Sequence, residues 1–197
     1  MNCSKIDMNI EFWIKQGFFH IIDIAGFDHM LFVAATLGFF TLKQWKGVLY
    51  ILSLFTLGHS ISLIYVALNG PLMPSIWVEV LILLTIFITG LLKTIERQET
   101  HKLISYSAIL IFGLIHGMGF AKQWISIFPF TEIGIGYALF FFNVGIEIGQ
   151  LLFAVLLLFV NLALVKVKIT SNQINIAWGL ASVVVSILLL FQILDFT

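Results

Sequence analysis

Long apolar segments recur along this chain, and several reach the roughly 17–25 residues that a helix needs to cross a bilayer. Hydrophobic residues make up 60% of the sequence and charged residues only 10%, whereas soluble proteins average about 25% charged residues. We therefore predict an all-α fold, a polytopic bundle of transmembrane helices in which residues 1–197 form a single transmembrane domain. The predicted spans are 27–42, 47–68, 76–92, 103–120, 137–165 and 175–194.

A further apolar segment, residues 9–24, precedes the first predicted span and carries Glu11, Lys15 and Gln16 among its aromatic residues. This mixture is typical of an amphipathic helix that lies at the membrane interface. A re-entrant helix is the alternative. If the segment crosses the membrane on its own, the chain has seven spans instead of six.

Basic residues are distributed unequally between the connections on the two sides of the predicted bundle. Seven of them lie in the first, third and fifth connections, which the positive-inside rule makes cytoplasmic: Lys43, Lys46, Lys93, Arg97, Lys102, Lys166 and Lys168. With six spans, both termini are then expected on the extracytoplasmic side of the cell's inner (cytoplasmic) membrane.

Charge and cysteine content exclude several classes of function. The formal net charge is zero, so nothing indicates binding to nucleic acid. The single cysteine, Cys3, excludes an intrachain disulfide and a metal site built from several cysteines. The expected partners are the lipid bilayer and a metal ion. A homo-oligomer remains open, because the glycine pairs in the spans serve packing within one chain equally well.

Histidines and acids are the ionisable side chains of greatest interest, because they fall in or beside the apolar spans. A charge at bilayer depth costs about 2.5–3.5 kcal/mol on insertion scales, so such residues normally face the bundle interior and serve a function. His59 and Glu147 lie roughly 14–15 Å below the outer surface at the helical rise of 1.5 Å per residue, and His116 about 6 Å below it. This distribution predicts a pocket that opens to the outside.

Neutral imidazole and carboxylate are the usual ligands of borderline divalent metals. We therefore predict a site for nickel, cobalt or zinc, with His20 and Asp23 as a pair that admits or gates the ion. The expected ligands are Asp28, His29, His59, His116 and Glu147. For any one intramembrane histidine, a hydrogen-bonded packing role is an equal alternative.

Five stretches place these polar residues in characteristic glycine settings. They are H-x-x-D…G-F-D-H-M-L-F (20–32), T-L-G-H-S-I-S-L (56–63), V-E-V-L-I (78–82), F-G-L-I-H-G-M-G-F-A (112–121) and F-N-V-G-I-E-I-G-Q-L (142–151). In these stretches the sequence resembles the HupE/UreJ family of integral membrane proteins. The resemblance implies a nickel or cobalt permease, associated with accessory functions for hydrogenase and urease and hence with partners in metalloenzyme maturation.

Two alternatives use the same residues differently. An intramembrane metal-dependent hydrolase could hold zinc with one open position and use Glu147 as general base. The sequence has no H-E-x-x-H pair to support that chemistry. A non-catalytic membrane subunit would use the polar residues only to hold helices together.

Overall fold

The computed structural model describes residues 10–23, 26–38, 40–95, 102–127 and 135–195, with a few side chains near the ends of these ranges left undescribed. This part of the chain forms seven helices and no strand. The helices are α1 (Ile10–Ile22), α2 (Phe27–Leu37), α3 (Trp45–Asn69), α4 (Ser75–Ile95), α5 (Lys102–Ile127), α6 (Ile135–Lys166) and α7 (Ser171–Asp195). The predicted polar leader with Cys3, the loop containing Arg97 and most of the 121–136 connection lie outside the described residues.

The helices α3, α4, α6 and α7 begin and end within four residues of the predicted spans. Turn-forming residues explain where α3 stops. Gly70 follows the helix with a φ of 85° and donates its N–H to the carbonyl of Val66 at 2.8 Å, a cap that favours glycine. Pro71 and Pro74 then separate α3 from α4. The prediction of a polytopic helical bundle is confirmed.

Four helices, α3, α4, α6 and α7, are long and apolar enough to cross a membrane. The helices α1 and α2 pass the same test only as a pair, and they are bent by 67° relative to each other. Within the 26-residue helix α5, the described side chains form the apolar stretch Tyr106–Phe120. The chain is therefore a multi-pass membrane protein, while the count of six spans remains a prediction.

The first predicted span differs in the structure, because its helix, α2, has only 11 residues. A helix of that length rises about 16 Å, too little for a hydrocarbon core about 30 Å thick. Helix α1 supplies the missing length. It packs along α6, with Ile14 beside Gly145 and Ile21 beside Gly149, so the two helices run in parallel.

The far end of α2 shows that α1 and α2 follow one another through the bundle. Asn161 of α6 donates its side-chain N–H to the carbonyl of Gly38, directly after α2, at 3.2 Å. Asn161 lies 12 residues beyond Gly149, about 18 Å further along α6. We infer that α1 and α2 are two halves of one broken span. Because Trp13 and Ile21 are buried, α1 packs against the bundle along one face.

Three helix pairs, α1 with α6, α3 with α5 and α4 with α7, approach closely at glycines. A Cβ added to Gly17 or Gly145 would collide with backbone of the facing helix, and the same holds for Gly113. Gly90 and Gly179 face one another's carbonyl oxygens in the third pair. Small residues of this kind let helix backbones pack against each other in a bilayer, where no hydrophobic force drives helices together.

Glycine packing between α1 and α6 yields a direct stability test. Gly145→Ala should lower the free energy of unfolding by about 1–3 kcal/mol, the usual cost of overpacking a tight contact. The matched control is Gly136→Ala on the same helix, where an added Cβ meets no atom within 4 Å. Thermal unfolding in detergent measures both variants. Equal midpoints for the two would contradict the packing described here.

Candidate metal centre

Three histidines from three different helices meet in the interior of the bundle. His20 of α1, His29 of α2 and His59 of α3 each offer a ring nitrogen, and these nitrogens lie within 4.8 Å of one another. The ring centroid of His20 is 4.7 Å from that of His29 and 5.6 Å from that of His59. We call these three residues the histidine triad.

A fourth histidine, His116 of α5, lies beside the triad. Its ring centroid is 5.3 Å from that of His29, and it is only 1% exposed. Its Nδ1–H donates to the carbonyl of Phe112, one turn earlier, at 2.8 Å. This bond fixes the ring and leaves Nε2 as the nitrogen with a free lone pair.

Asp28 orients His29 in a similar way. The Nδ1 of His29 lies 3.0 Å from Oδ1 of Asp28 and 3.3 Å from the carbonyl oxygen of Gly26. Both neighbours are acceptors, so Nδ1 carries the proton and Nε2 is left as the free base. A carboxylate that accepts from one nitrogen of a histidine while the other nitrogen binds a metal is a recurring arrangement in metal sites.

The triad lies between two clusters of buried apolar side chains. Along α3, the residues Val48 to Phe55 belong to one core and Leu63 to Ala67 belong to the other, with His59 between them. Gly117 of α5 packs against the carbonyl of His59, which brings α3 and α5 together at this level. The break between α1 and α2 separates His20 from His29 in the chain, so both can approach His59.

Five ring nitrogens in this cluster are buried and have no hydrogen-bond partner among the described residues. They are Nε2 of His20, His29 and His116 and both ring nitrogens of His59. Leaving a buried polar atom unpaired costs about 1–3 kcal/mol, so the cluster is poorly explained as packing alone. Three neutral imidazoles with lone pairs at this spacing suit zinc, nickel, cobalt or copper. The residues present therefore fit a transition metal.

Two of the predicted site residues are not brought into the cluster. Asp23 and Glu147 are both exposed, and neither belongs to the group of ligand atoms that converges at the triad. The stripe that contains Glu147 does turn inward further along α6, where the buried Gln150 accepts a hydrogen bond from Oγ1 of Thr56 at 3.1 Å. The hydrolase alternative uses Glu147 as its general base, and this residue is not part of the described cluster.

The structure changes the place of one predicted residue and adds four phenylalanines that the sequence did not single out. His20, expected to admit or gate the ion beside Asp23, is instead a member of the triad. Four phenylalanines, Phe32, Phe55, Phe120 and Phe142, have rings within 6 Å of a histidine ring centroid. With 20 phenylalanines in the chain, no spacing pattern distinguishes these four from the others.

A helical bundle in the membrane with histidines gathered at its centre defines a multi-pass membrane protein with a candidate metal centre. A family model described as HupE / UreJ protein matches residues 2–194. The chain belongs to this family, which confirms the resemblance seen in the sequence. No curated protein and no solved structure matched the chain.

The contact between Asp28 and His29 predicts how Asp28→Asn will behave. An amide lacks the charge that holds the His29 ring in its orientation, and loss of such a partner typically costs about 10–100-fold in metal affinity. Titration of the purified protein with nickel, cobalt and zinc measures the effect. Asp23→Asn, on an exposed acid in the same segment, should leave the affinity unchanged. Equal losses for both variants would contradict the assigned role of Asp28.

Proposed function

We propose that this protein is a permease for a divalent transition metal ion, nickel or cobalt in keeping with its family, in the inner (cytoplasmic) membrane. The metal is the cargo, and the histidine triad is its binding site inside the membrane. Membership of the HupE/UreJ family, which is linked to nickel and cobalt, supports this proposal. So does the position of the triad inside a bundle of apolar helices.

One observation carries the proposal: ring nitrogens of His20, His29 and His59 converge within 4.8 Å, and Nε2 of each is buried without a hydrogen-bond partner among the described residues. A bound cation accepts the lone pairs that these nitrogens would otherwise leave unsatisfied. Asp28 contributes a negative charge next to His29, which offsets part of the cost of placing a dication in the bilayer.

The type of ligand suits transport better than permanent storage. Imidazole nitrogens bind nickel, cobalt and zinc, and the triad has no thiolate to hold a soft metal tightly. A transported ion must bind well enough to enter the site and weakly enough to leave it. His116, with its free Nε2 next to His29, supplies a further nitrogen by which the ion can leave or approach the triad.

Orientation follows from the charges of the connections. We propose that the basic connections are cytoplasmic, that both termini are extracytoplasmic and that the ion is taken up from outside. Delivery on the cytoplasmic side would then serve proteins that mature nickel or cobalt enzymes. Asp23 and Glu147, which the structure leaves exposed, are not part of the proposed ligand set.

The proposal predicts that His59→Ala abolishes metal uptake. His59 is fully buried, one of its ring nitrogens belongs to the triad, and neither nitrogen has a hydrogen-bond partner among the described residues. Its loss removes a ligand outright. The fall in metal affinity should therefore exceed the roughly 10–100-fold loss that follows when a supporting residue is replaced. Uptake of radioactive nickel and cobalt by cells, together with the metal bound to purified protein, measures the effect.

The matched control is His101→Ala, at a histidine that the sequence places in a connection between two predicted spans and that is not among the four histidines of the described cluster. It should retain uptake and bound metal. If His59→Ala lowers thermal stability but leaves uptake and bound metal unchanged, the polar residues serve only helix packing and the proposed function is wrong.

A further inference from the structure

Aromatic rings cover the histidine triad on two sides. The first aromatic layer consists of Phe120 of α5 and Phe142 of α6, whose rings stack at 5.2 Å with an interplanar angle of 11°. His20 packs against this layer, with its ring centroid 3.8 Å from that of Phe120. The Phe142 side chain is fully buried and Phe120 nearly so.

The second aromatic layer consists of Phe32 of α2, Phe55 of α3 and Phe112 of α5. The rings of Phe32 and Phe55 stack at 4.8 Å, and Phe112 packs edge-on against Phe32 at 5.6 Å. Phe55 also contacts the ring of His116 at 5.0 Å. Each phenylalanine of this layer lies about one helical turn from a histidine on its own helix. Phe32 follows its histidine by three residues, and Phe55 and Phe112 each precede theirs by four.

The two layers lie on opposite sides of the cluster. On α5, Phe112 precedes His116 by four residues and Phe120 follows it by four, which separates each ring from the histidine by about 6 Å along the helix. The helix α3 runs parallel to α5, because Phe55 faces Gly113 and His59 faces Gly117. Phe55 therefore lies on the same side of the histidines as Phe112.

Each layer is attached to a different half of the broken span. His20 of α1 contacts both rings of the first layer. Phe32 of α2 is itself a member of the second layer and contacts both of its other rings. Ring centroids at these separations leave no space between the rings for a hydrated ion. Aromatic rings therefore flank the triad on both sides, while His20 itself remains partly exposed.

We propose that the two aromatic layers are the two gates of this site and that they open one at a time. The gate formed by Phe120 and Phe142 moves with α1, and the gate formed by Phe32, Phe55 and Phe112 moves with α2. A break in a helix lets its two halves move separately, and broken helices surround the ion sites of many transporters. The inference rests on the proposed function, because gates need an ion that passes between them.

Access of a reagent to the triad tests the gates without any metal. In a Cys3→Ser, His59→Cys background, the rate of labelling by a membrane-impermeant methanethiosulfonate is measured from each side of oriented membrane vesicles. Phe120→Ala should raise labelling from one side only, and Phe32→Ala from the other side only. We expect increases of about tenfold, corresponding to opening that is about 1.4 kcal/mol easier. The positive-inside orientation makes the Phe32 side cytoplasmic.

Phe191→Ala is the matched control, because Phe191 lies on α7 with 62% of its surface exposed. It should leave both labelling rates unchanged. Where an alanine variant unfolds at a lower temperature than its parent, the Phe→Leu variant at the same position replaces it.

Increased labelling from the same side for Phe120 and Phe32 variants overturns the proposal, as does unchanged labelling from both sides in both folded variants. Because the assay contains no metal, such a result is distinct from failure of the uptake experiment with His59→Ala.

Discussion

The interior of this protein depends on one unfavourable condition, the burial of imidazole nitrogens away from water and from protein partners. For two of the four histidines, a hydrogen bond to a residue nearby in the chain offsets part of this cost. The Nδ1 of His29 bonds to Asp28, and that of His116 bonds to a backbone carbonyl. Their remaining nitrogens, and both of those of His59, are buried without hydrogen-bond partners among the described residues. A bound transition metal is the simplest group that satisfies several lone pairs at once.

Close helix packing makes this burial possible. The hydrophobic effect does not bring helices together inside a bilayer, so contact depends on shape and on small residues. Glycines on α5 and α6 allow backbone to touch backbone, and they hold His59 near His116 and α1 near the centre. The same contacts surround the histidines with phenylalanine rings. Site and scaffold therefore arise from the same close approach of helices.

Much of the fold could be predicted from the sequence, because few backbone structures are stable inside a bilayer. Spans of sufficient length must be helical so that every backbone group is bonded internally, and turn residues such as Gly70 and Pro74 mark their ends. The first span was harder to predict. Neither α1 nor α2 is long enough by itself, and the inference that they are one broken span rests on the contacts of both with α6.

Composition and motifs were sufficient to assign the membrane class and the family, and they drew attention to the histidines because an ionisable side chain in an apolar span is energetically costly. They did not determine which acids accompany the histidines. Helical periodicity places Asn143, Glu147 and Gln150 on one stripe, but a stripe can face inward at Gln150 and outward at Glu147. Only the tertiary structure decided this, because the direction of a side chain depends on which helices lie beside it.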